Sequence, residues 1–176
     1  APVVGIRVAT DAVPPGDYPF AIYRWQYHGI RDDVEFQPVT TNSVLTGEFL
    51  CLLAEAEGFE VAPDRITEET RNALESRHYE AWSDARAGHI ENTQRVAEFR
   101  RSSLETSHKA RMALLDAQLA EAQNDKIRTM KSRQKENAQA DFNRHISEIE
   151  EATQKADITT RPVGWGMLRV ERTARG

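Results

Sequence analysis

Lys126, Arg128, Lys131, Arg133 and Lys135 place five cationic side chains within ten positions, and no acidic residue stands between them. Such a run suits the phosphate backbone of a nucleic acid, where each neutralised phosphate releases counterions. It also suits two plainer roles, pairing with a facing helix or forming a solvated face. Arg111 and Lys109 lie upstream and can extend the same patch. No aromatic residue is interleaved with these basics, so base stacking of the kind that holds single strands is absent from the pattern. The chain as a whole carries a net charge of -5. Any attraction to DNA or RNA must therefore come from this local patch.

Other chemistries find little footing. Neither GxxxxGK[ST], GxGxxG nor GxSxG occurs, so no phosphate-cradling loop or nucleophile elbow is present. The five histidines, His28, His78, His89, His108 and His145, are scattered, without a second ligand at metal spacing. Cys51 sits in the apolar "FLCLL", where burial would raise its pKa and hide it. It is the single cysteine, so no internal disulfide can form, which fits a reducing compartment. Glu148, Glu150 and Glu151 look like solvated faces. The expected catalytic, metal and cofactor inventories are therefore empty.

The 176 residues suffice for one domain, or a small domain plus an extension. Hydrophobic content is 39% and mean hydropathy is -0.64, which favours a small core beside a large solvated helical part. No apolar run is long enough to span a bilayer, so a membrane role is not expected. The opening Ala1-Pro2-Val3 lacks methionine and suits a piece of a longer protein.

The start of the chain reads as strands. "VVGIRV" is a short apolar run, and "PPG" breaks the chain after it. "FAIYRWQYH" alternates, with Phe20, Ile22, Arg24 and Gln26 on one face and Ala21, Tyr23, Trp25 and Tyr27 on the other. "VEFQPV" is its partner, with Pro38 marking an edge or strand end. "SVLTGEFLCLLAEAEGF" follows as a helix. Leu45, Phe49, Leu52, Leu53 and Ala56 form its stripe, and Gly58 is its C-terminal glycine. Near the other end, "ITTRPVGWGMLRVE" is a strand again. Trp25, Trp82 and Trp165 are expected to anchor the core where sheet and helices meet.

Between Thr67 and Asp157 there is no proline and a single glycine, Gly88. Thr67 is the expected N-cap, followed by Glu68 and Glu69 at the positive end of the dipole. If the last strand rejoins the first sheet, this segment must double back, with a turn at 123–125. Val96, Phe99, Ser103, Thr106, Ala110, Ala113, Ala117 and Ala120 keep a heptad spacing in the first arm. Ile127, Met130, Gln134, Ala138, Phe142, His145, Ile149, Ala152 and Ala156 follow it in the second. Folding about residue 124 sets Lys131 opposite Asp116. Met112, Leu115 and Leu119 form a second stripe, either a broad apolar face partly covered by long side chains or a docking patch for another copy or another domain.

The fold class is accordingly α+β. Both chain ends build a small, mainly antiparallel sheet with one packed helix (1–66 plus 158–176), and 67–157 form a long projecting antiparallel two-helix coiled-coil hairpin.

The stretch "NDKIRTMKSRQKENAQADFNRHISEIEEATQKADITTRPVGWGMLRV" resembles the C-terminal region of bacterial Swi/Snf-type helicase-like ATPases. These include relatives of the RNA-polymerase-recycling ATPase and helicases of some phage-defence systems. The residues that carry the likeness are Asp125, Ile127, Arg128 and Met130, then Val163, Gly164, Gly166, Leu168 and Val170. "PPGDYPFAIYRWQYHGIRDDVEFQPV" looks like the strand pair that precedes the hairpin in that family. The resemblance implies a cytoplasmic, non-catalytic accessory domain attached to a motor that acts on nucleic acid or nucleoprotein. The family's Walker-type lysine loop and DExx box have no counterpart here, so ATP hydrolysis carries over to no residue. Implied partners are the motor domain of the same polypeptide and DNA or RNA. The alternative is a structural coiled-coil module that forms a homodimer.

Overall fold

The computed structural model describes residues 3–174. Five strands form one mixed sheet: β1 (Val3–Ala9), β2 (Gly16–His28), β3 (Asp33–Thr40), β4 (Glu57–Glu60) and β5 (Asp157–Glu171). Their order across the sheet is β3-β2-β5-β1-β4. Helix α1 is Ser43–Leu52, α2 is Glu68–Glu121 and α3 is Asp125–Gln154. The chain is therefore α+β, with a sheet drawn from both ends. No helix among the described residues is long and apolar enough to cross a membrane.

Residues contact one another as two compact units. Among the described residues, the first holds 3–27, 33–86 and 158–174; the second holds 28–32 and 87–157. The split falls inside α2, one residue before the turn that carries Gly88.

In the first unit, the alternation along β2 sorts side chains onto the two faces of the sheet. Ala21, Tyr23, Trp25 and Tyr27 join Trp165, Met167, Ile66 and Leu74 in one apolar cluster. Phe20 joins Val8, Leu168, Val170, Leu45 and Phe49 in another. Burying both faces requires a helical layer on each. Helix α1 supplies one through Leu45 and Phe49, and the first turns of α2 supply the other through Leu74 and Trp82. The expectation of one packed helix thus gives way to two. The Asn42 side chain caps α1 by accepting from the backbone N–H groups of Val44 and Leu45. Thr67 Oγ1 accepts from the Thr70 N–H at 3.2 Å and opens α2.

The sheet is mixed, with one parallel pair beside the expected antiparallel ones. β1 runs parallel to β5 over seven residue pairs, from Val3↔Trp165 to Ala9↔Glu171. β2 with β3 and β1 with β4 are antiparallel. A parallel pair needs a long crossover, and here α2 and α3 lie between its members in sequence. Gly58 also departs from expectation. It is a strand residue paired with Ile6, because α1 stops at Leu52, passes through a 3-10 turn at Leu53–Glu55, and the next residues pair with β1. Gly5 permits that pairing, since a Cβ there would collide with the Phe59 carbonyl oxygen. Cys51 is exposed rather than buried, because α1 turns only Leu45 and Phe49 fully inward.

In the second unit, α2 ends at Glu121 and Asn124 caps α3, its side chain accepting from the Lys126 N–H at 2.8 Å. Contacting positions rise along α3 as they fall along α2. Lys135 pairs with Asp116 at 2.6 Å, His108 stacks on Phe142 at 4.2 Å, and Arg101 pairs with Glu150 at 2.9 Å. Lys135, not Lys131, therefore meets Asp116, one helical turn from the expected register. The inward face of α2 is also not the alanine stripe. Leu115 and Ala97 are buried and Met112, Leu104 and Leu119 half-buried, whereas Phe99 is 76% exposed and Ala110, Ala113, Ala117 and Ala120 are exposed. Area decides this: a buried Leu or Met removes far more apolar surface from water than an Ala. From Ala138 onward α3 keeps most of its expected face, with Ala138 buried and Phe142, Ile149 and Ala152 half-buried, whereas His145, expected on the seam, is exposed.

Gly166 and Gly164 offer a contrast within β5. A Cβ on Gly166 would strike the Phe20 ring, whereas one on Gly164 would meet nothing within 4 Å. Gly166→Ala is expected to destabilise the protein by about 2 kcal/mol, with Gly164→Ala changing it by less than about 0.5 kcal/mol, in urea denaturation. Equal effects would contradict this packing of β2 against β5.

Candidate nucleic-acid interface

The six basic residues singled out by sequence all lie in the second unit, on α2 and α3, but they are not equivalent. Lys135 is committed to Asp116. Arg128 donates Nε to the Ala122 carbonyl at 3.0 Å, placing its guanidinium on the free carbonyl end of α2, where a cation suits the helix dipole. Lys131 is half-buried, with Nζ 3.4 Å from Gln134 Oε1. Lys126, Arg133 and Arg111 are exposed, and among the described residues they have no ion-pair partner.

Lys126 and Arg133 share one face of α3. With Thr129, Met130, Gln134 and Asn137 they line a shallow groove of about 410 Å³. The spacing of Lys126, Met130, Arg133 and Asn137 repeats every three to four residues, as one helical face demands. Met130, expected on the seam, is 49% exposed in this groove, and Ile127 beside it is 44% exposed. A cationic rim around a short apolar floor can hold phosphates and cover part of a sugar.

Charge is segregated along the unit. Residues 109–135 hold seven basic side chains (Lys109, Arg111, Lys126, Arg128, Lys131, Arg133, Lys135) against three acidic ones (Asp116, Glu121, Asp125). The rest of the unit holds six basic against ten acidic. A positive end next to a negative remainder orients an approaching polyanion toward the α2–α3 connection.

Of the docking patch expected at Met112, Leu115 and Leu119, Leu115 is only 6% exposed and the other two are half-buried. The stripe is largely used within the unit. No group of three or more His, Cys, Asp or Glu residues gathers as a metal site among the described residues.

The most perturbed titrating groups lie in the first unit. The Trp25 indole donates to His78 Nε2 at 2.8 Å, and the Tyr23 ring stacks on the imidazole at 3.5 Å. Thr160 Oγ1 lies 3.2 Å from the same nitrogen. Because Nε2 accepts, the imidazole is neutral with its proton on Nδ1. Burial pushes His78 down to about 4, and burial followed by the nearby Glu75 charge pushes Tyr23 up to about 12. The Tyr23 hydroxyl is buried without a hydrogen bond. This cluster is closed, since His78 is 5% and Tyr23 4% exposed, so it serves the core rather than a substrate. Sequence shows His78 and Trp82 one turn apart but gives no sign of the Tyr23 stack, which joins residues 55 positions apart.

No protein-family model matches the chain, and no curated protein matches it.

His78 makes stability depend on pH. Its folded pKa of about 4 lies below the ordinary value of 6.5, so the unfolded chain takes up a proton first as pH falls. The contribution is fully present above pH 6.5 and declines toward pH 4, by about 3 kcal/mol in all. Urea midpoints measured between pH 7.5 and 4.5 should fall in the parent protein, while His78→Gln should be weaker at pH 7.5 and flatter across that window. An unchanged slope in the variant would assign the pH dependence to other groups.

Proposed function

We propose that this chain is a non-catalytic accessory domain of a helicase-like, nucleic-acid-dependent ATPase, and that it contacts the phosphate backbone of DNA or RNA where α2 passes into α3. In this reading, α2 from residue 87 and α3 form an antiparallel coiled-coil hairpin. The opposed order of the Asp116–Lys135, His108–Phe142 and Arg101–Glu150 contacts supports that arrangement. The three residues between Glu121 and Asp125 suit a tight helix–helix connection. The ATPase part of the reading rests on the likeness of 124–170 to the tails of Swi/Snf-type enzymes. It places the motor elsewhere in the parent polypeptide and the whole in the cytoplasm.

The observation that carries the nucleic-acid reading is the charge segregation, seven basic against three acidic residues in 109–135 within a chain of net charge -5. Lys126, Arg133 and Arg111 make the phosphate contacts. Lys131 and the outer nitrogens of Arg128 assist, and Lys135 chiefly ties α3 to α2. With no aromatic residue in 109–135, recognition goes to the backbone and not to bases.

Fluorescence anisotropy with labelled DNA and RNA tests this. Binding should weaken steeply with salt, and changing Lys126, Arg133 and Arg111 together to Ala should weaken it about tenfold or more at low salt and lower the log–log salt slope by about 2 to 3. Lys135→Ala should have a smaller effect on affinity. Absence of binding at low salt, or an unchanged slope in the triple variant, would remove the reading.

A further inference from the structure

We propose that a groove along α2 and α3 in the second unit binds a short segment of a partner protein, one that carries an apolar anchor followed by basic residues. One half of the groove is an apolar recess of about 490 Å³. Phe99 and Leu104 of α2, Ile149 and Ala152 of α3, and Ile30 of the 28–32 turn line it. Phe99 is 76% exposed even among these apolar neighbours. A ring left in water beside such a recess is a contact that an incoming apolar side chain completes. The other half is a recess of about 580 Å³ that shares Gly29, Glu148 and Ala152 with the first. Asp32, Glu151 and Asp157 join Glu148 there, against a single lysine, Lys155.

Charge selects the occupant. Residues 136–157 hold six acidic side chains (Glu136, Asp141, Glu148, Glu150, Glu151, Asp157) against two basic ones (Arg144, Lys155). The excess lies on the α3 side of the groove, since residues 87–108 of α2 hold three acidic and three basic side chains. The groove carboxylates are loosely held within the chain. Lys155 lies 3.3 Å from Glu151 and Arg144 4.0 Å from Glu148, all on exposed side chains. Pairs of this kind contribute little, so incoming cations exchange with them readily. The same charges repel a polyanion, which separates this groove from the basic end of the unit. Arg100, on the α2 wall of the apolar recess, is exposed and has no ion-pair partner among the described residues. Its guanidinium is left to donate to backbone carbonyls of the bound segment. Length favours a peptide over a simple amine. From His145 to Lys155 the two recesses follow about 15 Å of α3, the span of about five residues of extended chain.

Fluorescence anisotropy of the whole chain at low salt, with a set of labelled peptides of about ten residues, tests this. Each peptide carries one Leu, Met, Phe or Trp anchor and, within about five positions of it, a pair of Lys or Arg in an Ala/Ser background. The best of them should bind with a Kd of about 10 to 100 µM, and its Glu-for-Lys counterpart at least about tenfold more weakly. Phe99→Ser should weaken the best peptide about tenfold. Glu148→Lys with Glu151→Lys should reverse the preference, so that the Glu peptide binds better than the Lys peptide. All three positions are exposed, so these variants should keep the parent's circular dichroism spectrum. Absence of binding up to about 1 mM for every peptide would overturn the proposal. So would binding indifferent to Phe99→Ser, or a charge preference unmoved by the double reversal. Spermidine bound as tightly as the best peptide would give the site to free amines, and Phe99-dependent self-association in sedimentation would give it to a second copy; either result overturns the partner-protein reading. Lys126, Arg133 and Arg111 take no part in these readouts, so failure here leaves the phosphate-binding proposal standing, and the reverse.

Discussion

The pairing of β5 between β2 and β1 is the constraint on which the first unit depends. β5 begins at Asp157 and β1 at Val3, so the central strands of the sheet come from opposite ends of the sequence. The contacts that fix β5 are close ones. Gly166 has no side chain because the Phe20 ring occupies that place, and Val3 to Ala9 match Trp165 to Glu171 in parallel register. At one end of the strand, Arg169 gives Nε and Nη2 to the two Asp17 oxygens at 2.8 and 3.1 Å. That pairing, with Arg65 on the same carboxylate, holds Asp17 below the usual carboxylate range. Removing β5 would leave β3-β2 and β1-β4 as separate pairs, each too small to stand alone.

The parallel β1–β5 pair sets the demand on everything between. α2 contributes 35 residues to the second unit and α3 has 30, or about 52 and 45 Å at 1.5 Å per residue. Near-equal lengths suit the hairpin proposed above, and the opposed order of the Asp116–Lys135 and Arg101–Glu150 contacts supports it. The turn 28–32 belongs with this unit as well. His89 Nε2 lies 2.8 Å from the His28 carbonyl oxygen, and Gly29 has φ +121° where a Cβ would sit 3.1 Å from the Ala152 carbonyl. Only glycine fits both the dihedral and the gap.

Much of this was legible in the residues. Period-two alternation in "FAIYRWQYH" gave both faces of β2 correctly, and the stripe of Leu45 and Phe49 gave the buried side of α1. The parallel direction of β1 against β5 was not legible, because apolar runs such as "VVGIRV" serve parallel and antiparallel neighbours alike. The inward face of α2 differs from the one its alanine heptads predict for a specific reason. Two stripes repeat with heptad spacing on opposite sides of that helix, and periodicity ranks them equally. Only side-chain area separates leucine and methionine from alanine, and Leu115 at 6% against Phe99 at 76% exposure shows that area prevailed. The basic run was plain in sequence, but the division of labour within it was not. Lys131 and Lys135 differ by one turn, and a shift of one turn decides which of them meets Asp116.

That division of labour bears on how a phosphate contact would operate. Each basic residue bound within the chain is one that releases no counterions from a nucleic acid. With Lys135 held by Asp116 and Arg128 holding the end of α2, the free cations in 109–135 are few. Two or three phosphate contacts give weak binding at physiological salt, and with no stacking residue or base-edge reader there is little else to add. Such a surface is of small use to a freely diffusing protein. Tethered to a motor on the same polymer, as proposed above, it would experience a high local concentration of phosphates, and a weak contact would then be occupied much of the time. Weakness also lets the contact release with each step of movement, which a tight, sequence-reading contact would resist. The Lys135–Asp116 pair and the Arg128–Ala122 contact would thus suit the accessory role proposed above.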